Sequence, residues 1–526
     1  MPSSIMEDAT TMTDTDTPRR AIPLAIKAAA ALAVVLIAQT VFHQDSEIGG
    51  VLGLLALAAV VALVLTRPIV VRDKGARIAT VAAAGYALVL VDDPNPLALL
   101  LFAIALSLAT LLPQRRFDHA LLWVPRLVWH GLTALVRPWR DVAWAKAAQR
   151  RHGGSGGIGG LAAIVALPIV GGALFLTLFA NANPLIGKVF ADIALPDLGI
   201  VIWRVLLGGV VFTAIWGTLR PRLPDRSATT VGTSALGRYD LGVASLIVSL
   251  ATFNAIFAVQ NALDIAFLWS DAPLPAGITM ADYAHQGAYA LILTALLAAA
   301  IVLVTLRPGS AGAASRPVRW LVTLWIAQNL MLVASSALRL FDYIHAYGMT
   351  TLRLSALLWM TLVASGLTLI LWRLLRGRSA AWLINANALG LALVLSVASV
   401  VDLRATAATW NARVALRDGR AGPPLDLCYL ASLGSSGLLS LVRLERHAPA
   451  GALRDRLAHL RWQAQHGAAM MQSDWRSWSA RGARRMGSVE ALVGTHRPPL
   501  RPAPDGRNCD GRIIHIGPQL TNGAQR

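Results

Sequence analysis

Several things are scarce in this chain of 526 residues. Charged residues make up 14%, against roughly 25% in a typical soluble domain. That excludes an ordinary soluble multidomain protein. Lysine occurs only at Lys27, Lys74, Lys146 and Lys188, so the formal charge of +19 is almost entirely arginine. Most basic residues before position 400 sit in short stretches between apolar runs, where they set orientation. No basic stripe with interleaved aromatics precedes the last quarter, so nucleic acid is excluded as a partner. There are two cysteines, Cys428 and Cys509, and neither has a metal-type partner at short spacing. H-E-x-x-H, P-loop and Cys-x-x-Cys patterns are absent, so no catalytic residue, metal or cofactor is assigned and the reading leans away from an enzyme.

Apolar residues, in contrast, are abundant: the hydrophobic fraction is 56% and the mean hydropathy is +0.57. Apolar runs of about twenty residues recur along most of the chain, the pattern of transmembrane helices. The expected fold is an all-α polytopic transmembrane bundle of about eleven spans. They are placed at 22–42, 48–66, 78–91, 97–112, 161–180, 199–219, 241–261, 288–306, 320–338, 354–372 and 382–401. Residues 1–20, polar and ending in Arg19-Arg20, read as a disordered cytoplasmic tail. The first run is read as a retained span rather than a signal peptide, because no small-x-small cleavage site follows it.

The loops alternate in charge. Arg67, Arg72, Lys74 and Arg77 follow the second run, whereas the next connection is the acidic Asp92-Asp93-Pro-Asn-Pro. The same contrast continues along the chain, which predicts a cytoplasmic N-terminus and an outside location for everything after Asp402. Residues 114–158 form a basic segment carrying Trp123, Trp129, Trp139 and Trp144. It is expected to lie as a helix in the inner membrane interface, with residues 114–151 open to a cytoplasmic partner. Its Gly-rich end, Gly154-x-Gly156-x-x-Gly159, lacks the strand and amphipathic helix of a dinucleotide site and reads as a hinge between spans 1–4 (21–113) and the spans of 159–401.

Residues 402–496 differ. Helical periodicity predicts three or four amphipathic helices in a small extracytoplasmic domain, followed by a disordered Pro/Gly/Arg-rich tail, 497–526. In an oxidising compartment Cys428 and Cys509 can pair; the expectation is a buried thiol at Cys428 and an idle one in the tail.

Against this apolar background a polar focus stands out. Asn254, Gln260, Asn261 and Asp264 lie toward one end of an apolar run, and Tyr283 and His285 follow a Pro/Gly turn. Asn254, Asn261 and Asp264 share one helix face. Gln328 and Asn329 lie mid-span, with Ser335 and Ser336 seven residues on, and the loop 339–353 carries Arg339, Asp342, His345 and Arg353. A charge at membrane depth is costly without a partner, so Asp264 is expected to pair with Arg339 or Arg353. This set is either a pocket open to the outer side or an interhelical packing device, while Asn385 and Asn387 read as packing.

The run VQNALDIAFLWSDAPLPAGITMADYAHQGAYALILTALLAA, with WIAQNLMLVASSALRL, YGMTTLRLSALLWM and DLCYLASLG, resembles a bacterial multi-pass family known as domain of unknown function 4173, related to the 4153 group. The resemblance spans about residues 150–490; Ser270-Asp271 departs from it, since two small residues, often glycine, are expected there. It implies a polytopic inner-membrane protein with a C-terminal helical segment, and no activity. Three functions are therefore carried forward. The first is a non-enzymatic sensor, scaffold or envelope-maintenance component in the bacterial inner membrane. The second is a secondary transporter with an outward-facing pocket around Asp264 and Arg353, although no internal repeat supports it. The third is a membrane enzyme acting on a lipid-linked envelope substrate.

Overall fold

The computed structural model describes residues 23–42, 47–151, 172, 198–221, 243–269, 315–419, 422–494 and 509. Among these residues there are helices and no strands. In order they are α1 (Leu24–Val41), α2 (Val51–Thr66), α3 (Ile69–Arg72), α4 (Lys74–Asp92), α5 (Pro96–Leu111), α6 (Ala120–Ala134), α7 (Arg137–Arg151) and α8 (Leu198–Leu219). Then follow α9 (Val243–Phe267), α10 (Arg316–Tyr347), α11 (Thr351–Arg376) and α12 (Ala380–Val400). The last part contains α13 (Leu403–Asp418), α14 (Leu427–Ser432), a 3-10 turn (Gly434–Gly437), α15 (Leu438–His447), α16 (Ala452–Ser473) and α17 (Ala480–Val493).

Among the described residues seven helices (α1, α4, α8, α9, α10, α11 and α12) are long and apolar enough to cross a membrane, and α2 and α5 are shorter apolar helices. The chain is a multi-pass membrane protein. A bilayer offers no water to backbone amides, so a spanning segment must satisfy them internally, as a helix does. Side chains in the turns start the helices. Asp73 Oδ1 accepts from the Ala76 amide at 2.7 Å and Asn95 Oδ1 from Ala98 at 2.8 Å. Asp402 and Asp426 cap α13 and α14 in the same way. Each such cap is worth about 1 kcal/mol.

α1, α2, α4, α5 and α8 pack around a core rich in alanine, including Ala31, Ala59, Ala83, Ala87 and Ala105. Small residues let helix backbones approach where lipid removes the hydrophobic drive for association. α9 to α12 share a second core of larger residues, among them Leu250, Val322, Trp325, Leu367 and Leu383. Tyr86 Oη and Ser396 Oγ bond across the two groups at 2.6 Å, and the Ala120 amide at the start of α6 donates to Asn385 Oδ1 on α12 at 2.9 Å.

The bundle has two unlike ends. At the basic end Arg67 donates to the Thr110 carbonyl, Gln114 to Pro221, and Arg220 pairs with Asp141 at 3.1 Å. The basic segment expected as a single interfacial helix is two helices, α6 and α7, broken after Ala134. The break lets Arg137 turn inward. Its guanidinium reaches Thr133 Oγ1 at 2.6 Å, Gly217 O at 3.1 Å and His130 Nδ1 at 3.1 Å. Burial, with the Arg137 charge second, brings His130 down to about 4, so near neutral pH its Nδ1 accepts from Arg137. The Gly-rich hinge, the tail 1–20 and the runs 161–180 and 288–306 lie outside the described residues, Gly172 of the first run excepted.

The other end carries α13 to α17, five helices and a 3-10 turn where three or four helices were expected. The additional helix, α17, begins at the Ser479 cap, whose Oγ accepts from Gly482 at 3.2 Å. This domain has its own core, with Leu430, Leu441, Leu457 and Val489 buried. Cys428 and Cys509 are joined in a disulfide, which corrects the expectation of two separate thiols and ties residue 509 back to α14. The expected loop 339–353 is also shorter than its composition suggests. α10 continues to Tyr347 because Ile344, fully buried, packs with Met349 and Ala407 at the junction with the domain.

Candidate functional site

The polar focus forms a seam between α9 and α10. Asn254 Nδ2 donates to the Leu321 carbonyl at 3.0 Å, and its Oδ1 accepts from Gln328 Nε2 at 3.0 Å. Asn261 Nδ2 reaches the Gln328 carbonyl at 3.4 Å, and Trp269 Nε1 reaches Ser335 Oγ at 3.2 Å. Residue numbers rise together on both helices, so α9 and α10 run parallel. Nearer the end of the seam Asp264, fully buried, forms an ion pair with Arg339 and accepts from Gln260 at 3.1 Å. Among the described residues the buried Asn329 and Ser336 bond only back along α10, to Trp325 and Leu332. Their polarity is absorbed within the helix, as happens for such side chains in lipid.

Of the two arginines offered to Asp264, Arg339 is therefore the partner. Arg353 is engaged elsewhere: it donates to the Tyr347 carbonyl at 3.0 Å and to Gly348, and its guanidinium lies 4.3 Å from the Tyr343 ring centre. The sequence-selected residues thus divide into an intramembrane seam and a clamp on the turn 348–350. Asp342, half-buried on α10, makes no hydrogen bond or ion pair among the described residues. Tyr283 and His285 lie outside those residues. Among the described residues no group of three His, Cys, Asp or Glu is placed to hold a metal, so Asp342 and His345 have no third ligand there.

The clamp belongs to a larger junction. Asn411 on α13 binds the Met349 backbone both ways, its Oδ1 accepting at 2.6 Å and its Nδ2 donating at 2.8 Å. Tyr429 Oη accepts from the Thr351 amide at 2.8 Å. Gly348 holds φ at +78°, and a Cβ there would sit 3.1 Å from Asn411 Oδ1, so glycine fits on both counts. The turn before α2 is held as well: the Gly49 amide donates to Arg476 O at 2.8 Å and the Gly50 amide to Trp478 O at 2.6 Å. A Cβ on Gly49 would lie 2.3 Å from the Ser477 carbonyl carbon.

The third contact is ionic. Arg481, Arg484 and Arg485 are spaced to share one face of α17. Arg481 bridges Asp92 at 2.7 Å and Asp93 at 2.9 Å, Arg484 also pairs with Asp92, and Arg485 holds Asp402 at 2.6 Å. Burial works against the Asp402 charge. The Ala405 amide, the Ser436 hydroxyl and the arginines outweigh it, so its carboxyl is held below the ordinary value. These residues escaped the sequence reading, although the acidic turn was noticed. The usable signal is the i, i+3, i+4 spacing of three arginines within the segment 402–496.

Chemically, the seam is a set of neutralised charges and amides, and the junction is a fastening. The family model described as Domain of unknown function (DUF4153) matches residues 31–444, which takes in the seam, the clamp and the domain as far as α15. No curated protein and no solved structure matches the chain. With most of its length matched, from within α1 to the end region of α15, the chain belongs to the DUF4153 family.

Proposed function

We propose that the chain is a non-enzymatic scaffold or sensor of the bacterial cytoplasmic membrane, presenting a helical domain fastened to the outer face of an eleven-span bundle. The observation that carries this reading is the junction. Gly49-Gly50, Asp92-Asp93, Met349-Thr351 and Asp402 all bind α13–α17 directly or through its flanking turns. Alternating loops, poor in arginine and lysine, converge on one domain, and arginine-rich loops converge on the opposite end. That sorting supports a cytoplasmic N-terminus and an outer domain. The disulfide supports an oxidising compartment for the domain.

Helix direction supports the span number. α9 and α10 are parallel, so the chain linking them has to return across the bundle, and 288–306 is the apolar run available for it. α8 starts beside Gln39, near the Arg476 contact with Thr40 at the domain end, and finishes against Arg137 and Asp141. The ends of the connection 152–197 therefore also call for a crossing, for which the apolar run 161–180 of the sequence is long enough. The exposed apolar and basic face of residues 114–144, with Trp129, Trp139 and Trp144 exposed, meets the inner lipid surface and a cytoplasmic partner.

A fused α13–α17 domain carried on an unrelated single span tests the proposal. A scaffold whose task needs the fastening fails to complement a deletion strain in that form, and complementation by the tethered domain alone removes the bundle from the account.

One observation favours transport as a second reading. Among the described residues Asn261 Oδ1, Asp264 Oδ2 and Gln328 Oε1 are buried without a hydrogen-bond donor, leaving acceptor capacity in the seam. Loss of uptake of a solute in folded Asp264→Asn protein would establish it.

A further inference from the structure

A cavity of about 360 Å³ lies at the basic end between the first turns of α10 and the last turn of α11. Arg316, Arg319 and Thr323 give it polar walls, and Trp320, Leu374 and Leu375 give it apolar ones. We propose that this cavity binds the phosphate of an anionic lipid headgroup, with Arg316 and Arg319 as the ligating cations.

Four observations converge on that ligand. Neither arginine has an acidic partner among the described residues, and Asp342, at the other end of α10, is the only acidic residue from 283 to 401. Among the described residues the local field is therefore positive, and Arg376, stacked at 4.7 Å over Trp372 in the last turns of α11, adds to it. α10 also begins here. Its Ser315 N-cap makes no side-chain capping bond; Pro317 has no amide hydrogen and the Arg319 amide donates to Ser315 O, so the positive end of the helix dipole there, rather than a full ring of amides, favours an anion. The walls are amphipathic: Trp320 is 75% exposed and Leu375 67% exposed, and such residues suit the glycerol and upper acyl region. A soluble phosphate would gain nothing from them. Basic pockets between spanning helices at the cytoplasmic surface recognise lipid phosphates by this combination.

The test uses the full-length protein in phosphatidylcholine nanodiscs, titrated with phosphatidylglycerol and read by native mass spectrometry. Phosphatidylglycerol should be retained over phosphatidylcholine. Arg316→Gln and Arg319→Gln should each weaken that retention about fivefold and the double variant about twentyfold. Arg417→Gln, on the exposed face of α13, should leave it unchanged. Equal retention by the double variant and the parent overturns the proposal. Displacement of the lipid by millimolar inorganic phosphate overturns the lipid source and assigns the cavity to a soluble anion. Should the double variant not fold, the parent protein decides alone, because equal retention of the two lipids also overturns it.

Discussion

Asp264 on α9 and Arg339 on α10 form an ion pair inside the bundle, with side-chain exposures of 1% and 9%. The surrounding amide bonds contribute about 0.6 kcal/mol each in a membrane. The ion pair is different in kind, because losing one partner leaves a buried charge at a cost of about 3–5 kcal/mol. It is the dominant polar term holding α9 to α10.

Asp264→Asn and Arg339→Gln should each destabilise the detergent-solubilised protein by about 3 kcal/mol, and the double substitution should cost clearly less than their sum. Arg353→Ala should leave the seam intact and instead loosen the turn 348–350. Thermal unfolding of the four variants measures this cycle; additive losses would mean that the two charges do not depend on each other.

Gly49→Ala should detach the domain locally. The new methyl meets the Ser477–Trp478 backbone, which has no side-chain freedom with which to yield, and overpacking of this kind costs about 1–3 kcal/mol. Hydrogen exchange in the turn between α16 and α17 should rise while the α4–α5 amides stay protected.

The Asp402–Arg485 contact should give a pH-dependent component. Its carboxyl is held below the ordinary value in the folded protein, so its contribution is complete above the unfolded value of about 3.9. It is lost progressively as pH falls from there through the lowered folded value. Protection at the α12–α13 junction should therefore be flat from pH 7 to 5 and fall only below about 4. Arg485→Gln should remove only part of that acid-dependent step, because the Ala405 amide and the Ser436 hydroxyl hold the carboxylate more strongly.

The Cys428–Cys509 bond closes a long loop, with a sequence separation of 81. Removing it by Cys509→Ser should lower domain stability by about 2–4 kcal/mol. The parent chain isolated without reductant should migrate differently from the reduced form on a denaturing gel.

The membrane architecture was legible because its signals are long: an apolar run of about twenty residues is hard to mistake, and nine of the runs coincide with described helices. The pairing face of Asn254, Asn261 and Asp264 was legible from helical spacing alone. The choice of Arg339 over Arg353 was not, because it depends on α10 continuing past Leu338. That continuation comes from the burial of Ile344 against the domain, a tertiary effect. Asn411, Tyr429 and the arginines of α17 were invisible for the same reason: each acts on a segment distant in sequence, and a polar side chain on an amphipathic helix looks solvent-facing until its partner is placed. The disulfide was left open because spacing does not encode pairing.

The central claim is that α13–α17 is an outer domain fastened to the bundle. Paired fusions of alkaline phosphatase and a fluorescent protein after Gly494 test it most directly. The account predicts an active phosphatase and a dark fluorescent protein; a fluorescent fusion with inactive phosphatase would place the domain in the cytoplasm and contradict it.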